Sequence, residues 1–509
     1  MTTTPMPGAD RPDADADNQR GELLWEQGLF DDAVQAWRDA IAQRPSHLEA
    51  LINLAWALTR AGGLGEALSF AERAVTLAPD NWQARRALGQ VHYQAGRFPE
   101  AAREYSAAIA HGGEDPLLHC DLGDALYSEG RFAEAAAAYS SALDGQPDDA
   151  YAQLWLGWSL QQLGEDARAS QHFEKALALS PDWPETLYAV GQSASSSGDL
   201  DRARQLLERA LEAYPEEDEE GRAASASELA NVLRALGELD RARQLCQQAL
   251  ALDPTHSAAR FHLGLVCAES GDYEAAIAQF DIAVQLDPED ADALLEKAGA
   301  CISLGRHDDA VASYQAALEL RPDFAEAFGG LGLAYYMMGL HDLSAEHYQR
   351  AAELAPDDPW PHYNLALACE AAGKHAEADA SFEQALALGE ADAELCAAVA
   401  RAIVSHGRDP AAAISAARLA VKADPASGSA QHALALALHS SGDHRMALGP
   451  AKEAVRIAPA IPEYAFDLGL IHEALGDGER ASRSYRRALE LAPDFEEARD
   501  ALRRLEGSQ

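Results

Sequence analysis

Apolar residues in this chain recur three and four positions apart, in stretches of about a dozen residues broken by short polar turns. That spacing lines one face of an α-helix. Residues 258–288, AARFHLGLVCAESGDYEAAIAQFDIAVQLDP, show the pattern. Phe261, Leu263 and Cys267 fall at helical spacing in the first stretch. Ala276, Phe280 and Ala283 mark one face of the second, at i, i+4 and i+7. Between them stands Gly271, where a left-handed residue commonly ends a helix. Asp272 can cap the second helix, and Pro288, which has no N–H, stops it. The pattern predicts a helix, a tight turn and a second helix.

The same unit recurs along the chain. Glycine stands at 28, 62, 96, 130, 164 and 198, each step 34 residues. After one step of 39 it resumes at 237, 271, 305, 339, 373 and 407, and after a step of 35 it ends at 442 and 476. Alanine follows each of these glycines by 12 residues, except Ala420, which trails by 13, and proline follows most of them by 17. Seven residues before each turn glycine the side chain is always small, as at Gly21, Gly157, Ala298 and Ala400. The facing slot of the second helix is often aromatic, as at Trp37, Tyr139, Phe173 and Phe280. Small against large is how two helices interdigitate, and a bulky residue at the small position would hold them apart. Fourteen copies account for about 480 residues.

The 34-residue period with its small, aromatic, alanine and proline positions resembles the tetratricopeptide repeat, over residues 14–493. The resemblance implies an all-α α-solenoid: helix-turn-helix units stacked in a right-handed superhelix whose concave groove is lined by the first helices. It also implies a protein-binding scaffold and no reaction. Copies 1–6 span residues 14–215 and copies 7–14 span 221–493. The segment 216–220, five acids (Glu216, Glu217, Asp218, Glu219 and Glu220), is an insertion that reads as a solvated segment or a hinge. Residues 494–509 read as a C-terminal cap helix and tail, with Ala498, Ala501, Leu502 and Leu505 on one face. An array needs such a cap for its last open face. Residues 1–13, polar and proline-bearing, read as a disordered tail, without the basic start or apolar run of a secretory signal.

Charge narrows the partner. The chain has 40 basic and 83 acidic residues, a formal charge of −43. A nucleic-acid binder needs a basic face, and anionic lipid repels such a surface. No run of about 18 apolar residues is present, so no membrane insertion is expected. Six cysteines in 509 residues, none in a CxxC pair, are not a disulfide framework. A reducing, cytoplasmic compartment is expected. Cys267, Cys301 and Cys369 share a slot that holds leucine in other copies, so they read as core fillers.

The repeats occupy nearly the whole chain and leave no room for a catalytic domain. No nucleotide loop, HExxH helix or zinc-spaced cysteine set occurs, so no enzyme activity, cofactor or metal is expected. Two groove chemistries of the family are not matched by these residues. Asn53 and Asn364 match the middle asparagine of the clamp that grips a C-terminal carboxylate. The copies before them, however, offer Asn18 and Glu22, and Gly329 and Leu333, where the clamp has lysine and asparagine. The asparagine ladder of O-linked N-acetylglucosamine transferase is missing too.

The exposed face of the first helices carries rings instead: Trp56, Tyr93, Tyr127, Tyr151, Trp155, Trp158 and Tyr188 in copies 2–6, and Phe261, Tyr336, Trp360 and Tyr363, with Met337, in copies 8–11. Asp121, Asp124, Glu228, Glu296 and Glu370 intervene. Aromatic rings with few charges among them are what an interface core uses. The expected main site is the set Tyr151, Trp155, Trp158 and Tyr188. The function read from these residues is a scaffold that takes a peptide or helix of a partner protein in its groove. The acids suggest that the segment carries apolar anchors flanked by arginine or lysine. The alternative is an architectural subunit that assembles through its ends and convex face.

Overall fold

The computed structural model describes residues 13–507. Among them are twenty-nine α-helices and no strand, α1–α29 in chain order. The odd-numbered helices α1–α27 are the first helices of fourteen hairpins, and the even-numbered α2–α28 are the second helices. The last helix, α29 (Glu496–Gly507), stands alone after them. The chain divides into two compact units between Ala259 and Arg260, inside α15 (Ser257–Glu269). The expected tail 1–13 lies outside the described residues but for Asp13, whose carboxylate caps α1 (Ala14–Glu26) by accepting the Asp15 N–H at 3.1 Å.

Each hairpin closes as its residue types require. All fourteen turn glycines adopt a left-handed φ, from 63° to 86°, and a Cβ there would meet nothing within 4 Å. Conformation alone therefore demands glycine at these turns. The small slot has the opposite cause. A Cβ on Gly157 would lie 2.5 Å from the Phe173 ring, and one on Gly123 would lie 2.6 Å from Tyr139. Those glycines are needed for space. The alanine after each turn is buried, and its carbonyl accepts the N–H that ends the second helix, as Ala176 does from Ser180 at 2.9 Å. All six cysteines are buried, Cys267, Cys301 and Cys369 among them, as the core reading of those three expects.

At the far end, α29 covers the last hairpin. Ala498 and Ala501 are buried, with Leu502 and Leu505 packed beside Tyr485 and Phe466. The extra residues near 216–220 extend a helix. Helix α13 (Glu219–Ala235) has 17 residues where other first helices have 12 or 13. Its cap is Asp218, which accepts the Gly221 N–H at 2.9 Å. Tyr214, at the end of α12 (Leu200–Ala213), is buried and lies against Gly221, so closely that a Cβ there would sit 2.3 Å from the ring.

Candidate functional site

The rings of the first helices fall into groups. In one group, Tyr127 on α7 (Pro116–Ser128) meets Trp155 on α9 (Ala150–Gln161) edge to face, with centroids 5.1 Å apart. Trp155 lies 6.0 Å from Tyr151, which stacks at 6.4 Å on Trp183. Trp183 was not expected in the site. It is the residue before Pro184, which opens α11 (Pro184–Ser196), so it sits in the connecting turn and not on a first-helix face. In the other group, Trp158 touches Phe173 at 4.9 Å and Tyr188 at 6.1 Å. Tyr151 is 37% exposed, and Trp155, Trp158 and Tyr188 are half-buried. Gly157 and Phe173 fill the small and aromatic slots of this copy. Tyr151 and Trp155 have no share in that packing.

Three of the expected groove rings have a local role. A ring three residues before the turn glycine packs on the residue two after it: Tyr93 on Phe98, Tyr127 on Phe132 and Tyr336 on His341, at 5.2–5.5 Å. Trp25 on Phe30 makes the same clasp. The signal was in the sequence, as two aromatics five apart across a glycine. Phe261 leans toward Phe280 of its own hairpin, with centroids 5.9 Å apart. Trp56 meets Trp25 edge to face at 5.1 Å, with the Arg60 guanidinium 5.1 Å from its ring centroid.

In the second unit, Trp360 is 39% exposed and meets Tyr363 edge to face at 5.7 Å. Trp360 borders a hollow of about 430 Å3 between α19 (Ala325–Met337) and α21 (Pro359–Ala371), lined also by Gly329, Leu333, Asn364 and Glu326. Glu370 proves to be a different kind of residue from its neighbours. It is buried, not on an open face, because Arg408 at 2.9 Å and His375 at 2.9 Å hold its carboxylate.

The acids beside the first ring group are partly desolvated. Asp121 bonds Arg86 Nε at 2.6 Å, and the same guanidinium reaches Asp115 at 2.8 Å. Asp124, one helical turn on, accepts the Tyr139 hydroxyl at 2.7 Å and the Tyr151 hydroxyl at 2.9 Å, both on Oδ1. Burial pushes the Asp124 pKa up to about 6, against the pull of the two phenols. Burial likewise raises the Glu228 carboxyl above its ordinary value. Asn53, which matches only the middle position of the clamp, donates to Asn18 at 3.4 Å and Glu22 at 3.2 Å, so its neighbours are acceptors and not the cations a carboxylate needs. No group of three or more metal-binding side chains occurs among the described residues. No helix among them is long and apolar enough to cross a membrane.

Tandem helical hairpins with this slot chemistry define a repeat array. Models of the tetratricopeptide repeat match residues 18–81, 58–119, 120–184, 188–256, 227–291, 298–339, 323–391 and 462–495. The chain belongs to the tetratricopeptide-repeat family. A comparison with curated proteins finds no match. Among solved structures, the chain is similar to yeast Tom70, at 16% identity over 84% of this chain and 95% of that one, with a TM-score of 0.43. It is also similar to the APC/C hetero-tetramer Cut9-Hcn1, at 14% identity over 98% and 97%, with a TM-score of 0.41. A third, the MamA protein, is 27% identical over 34% of this chain and 93% of that one, with a TM-score of 0.31. These likenesses say nothing of what this chain binds.

Proposed function

We propose that the chain is a non-enzymatic scaffold that holds a segment of a partner protein against its first-helix faces. The observation that carries this is the ring face of α7, α9 and α11. Tyr151 is exposed and Trp155 half-buried, and neither is a slot residue of their hairpin, whose slots Gly157 and Phe173 already fill. Rings left open next to a packed core are the anchors of protein interfaces. The segment we envisage has apolar anchors, and the mode is a helix or extended peptide laid in a groove. The compartment proposed is the cytoplasm.

Affinity capture followed by mass spectrometry tests it, comparing wild type with the Trp155→Ala/Trp158→Ala double variant. A partner bound by wild type should bind the variant more than tenfold more weakly, since such anchors typically contribute about 2 kcal/mol or more. The helical spectrum should be unchanged. Equal capture by both would remove the site.

The architectural reading has one observation of its own. A hollow of about 580 Å3 opens on the second-helix side, between α6 (Phe98–Ala110) and α8 (Phe132–Gly145), with Ile109, Leu122 and Leu126 among its lining. A concentration-dependent oligomer lost on filling that hollow, for example by Ala138→Trp, would favour this second reading.

A further inference from the structure

We propose that the ring face of α7 and α9 selects a segment carrying a basic side chain. The arginine or lysine charge would meet Asp124 Oδ2, and its stem would cross Tyr151 and Trp155. This rests on the groove reading above and names the chemistry of the partner.

The face is two short rows. Asp121, Asp124 and Tyr127 stand three apart on α7, and Tyr151 and Trp155 stand four apart on α9, so each row shares one side of its helix. The rows meet twice, through the Tyr151 hydroxyl on Asp124 at 2.9 Å and the Trp155 ring on Tyr127 at 5.1 Å. A carboxylate so placed is flanked by π-faces, which attract cations as well as apolar stems.

Asp124 lacks the charge that its neighbour has. Asp121 is neutralised from within by Arg86, at 2.6 Å. Asp124 has only phenol donors, and both fall on Oδ1. Arg86 is already divided between Asp121 and Asp115. The groups that face Asp124 are thus Asp121 on its own helix, Tyr139 from α8 and Tyr151 from α9, with Tyr105 of α6 close enough to feel its charge. None is a cation. A partly desolvated carboxylate without a counter-charge gains more from an incoming guanidinium or ammonium than an exposed one does. The net charge of −43 steers such a segment toward the surface but does not place it. The placement comes from Asp124.

The probe is a phage-displayed library of random 12-residue peptides, panned on the full chain. Selected peptides are resynthesised and their affinities measured by tryptophan fluorescence against wild type, Trp155→Ala, Asp124→Asn and Asp144→Asn. The last removes an equal charge from an exposed position at the end of α8. Peptides that need Trp155 should share an arginine or lysine beside an apolar residue. Asp124→Asn should weaken them about tenfold and Asp144→Asn less than twofold. Replacing the basic residue by citrulline or norleucine should cost about the same tenfold on wild type and little on Asp124→Asn. Peptides that need Trp155 but carry no basic residue overturn this inference and leave the groove reading standing. So does a basic residue whose removal costs as much on Asp124→Asn as on wild type. Selection that yields no peptide dependent on Trp155 overturns both.

Discussion

The first helices of copies 4–6 and of copies 12–13 are built from one repeat but pack on their neighbours in different ways. In copy 5 the small slot is Gly157, the large one is Phe173, and α9 meets α7 and α11 through rings. In copy 12 the slots are Ala400 and Ala417, both fully buried, and α23 (Ala393–Ser405) lies directly along α25 (Gly428–Ser440). Eight of the thirteen residues of α23 are buried, among them Leu395, Val399 and Ile403. Copy 2 behaves alike: Ala55 and Ala71 fill its slots, and α3 (Leu48–Arg60) lies along α5 (Trp82–Gln94). In copies 2 and 12, alanine in both slots accompanies a first helix that packs closely along the next. Large rings on that face hold them apart and leave part of each ring in the open. Side-chain size at a few positions thus separates a closed face from one that leaves rings partly exposed.

The comparison breaks most severely at the small slot. Gly157→Leu drives a side chain into the Phe173 ring, where even a Cβ would lie at 2.5 Å. It should cost about 3 kcal/mol, the upper end of ordinary overpacking. Because array stability is a sum of unit and nearest-neighbour terms, hydrogen exchange should show lost protection in copies 4–6 while copies 12–13 keep theirs. Uniform loss along the chain contradicts this.

The next test converts one face toward the other. Ala417→Tyr places the missing ring in copy 12 and should cost roughly 2 kcal/mol by overpacking. Adding Ala400→Gly opens the facing slot, and the pair should recover at least about half of that loss despite the helix propensity glycine forfeits. Thermal unfolding of the two variants checks the coupling. Strict additivity would mean that the slots do not face each other as the repeat requires.

Asp124→Asn is a smaller change with a definite sign. Burial raises this carboxyl from its ordinary 3.8 to about 6, so the folded state binds the proton more tightly than the unfolded one. Its contribution is therefore destabilising above about pH 6, diminishing as pH falls to about 4 and absent below that. Asparagine keeps an oxygen for the two phenols and removes the charge. The variant should be roughly 1–2 kcal/mol more stable than wild type at pH 7, and the two should converge at pH 4. Urea unfolding at both pH values decides it. A gain that persists unchanged at pH 4 would trace to something other than the charge.

How far these faces were legible beforehand follows from range. Turn glycines, slot pairs and the cap helix answer to neighbours one hairpin away, and a 34-residue period exposes such neighbours directly. Copy 12 stood out in the same way, by alanine at 417, and the matched family segments do not include residues 392–461. Side-chain direction was harder to read. Tyr93, Tyr127 and Tyr336 stand where groove rings were expected, yet each packs across its own turn. Glu370 shares the register of an open acid and is turned inward by Arg408, 38 residues on. The insertion at 216–220 was visible as a break in period, but not its lengthening of α13 or the seating of Tyr214 against Gly221. The hinge proposed there is tested by limited proteolysis. First cleavage within 216–220, leaving two folded fragments, supports it, and first cleavage elsewhere in the array counts against it.

Tyr151→Phe should have the smallest effect and draws the finest line through the ring face. The phenylalanine keeps the ring that stacks on Trp183 and approaches Trp155, and loses only the hydroxyl that donates to Asp124 at 2.9 Å. Tyr139 still donates to the same oxygen at 2.7 Å, so Asp124 is not left bare. One hydrogen bond to a charged group, made at a partly exposed position, is worth about 1 kcal/mol here. Folding stability at pH 7 should fall by about that amount or less. The Asp124 pKa, held down in part by this donor, should rise above its wild-type value in a carboxyl NMR titration. Peptides anchored only by apolar contacts should bind as before, since the ring remains. If instead such peptides bind several-fold more weakly, the hydroxyl does more than orient Asp124, and the open face owes its binding to a polar contact as well as to its rings.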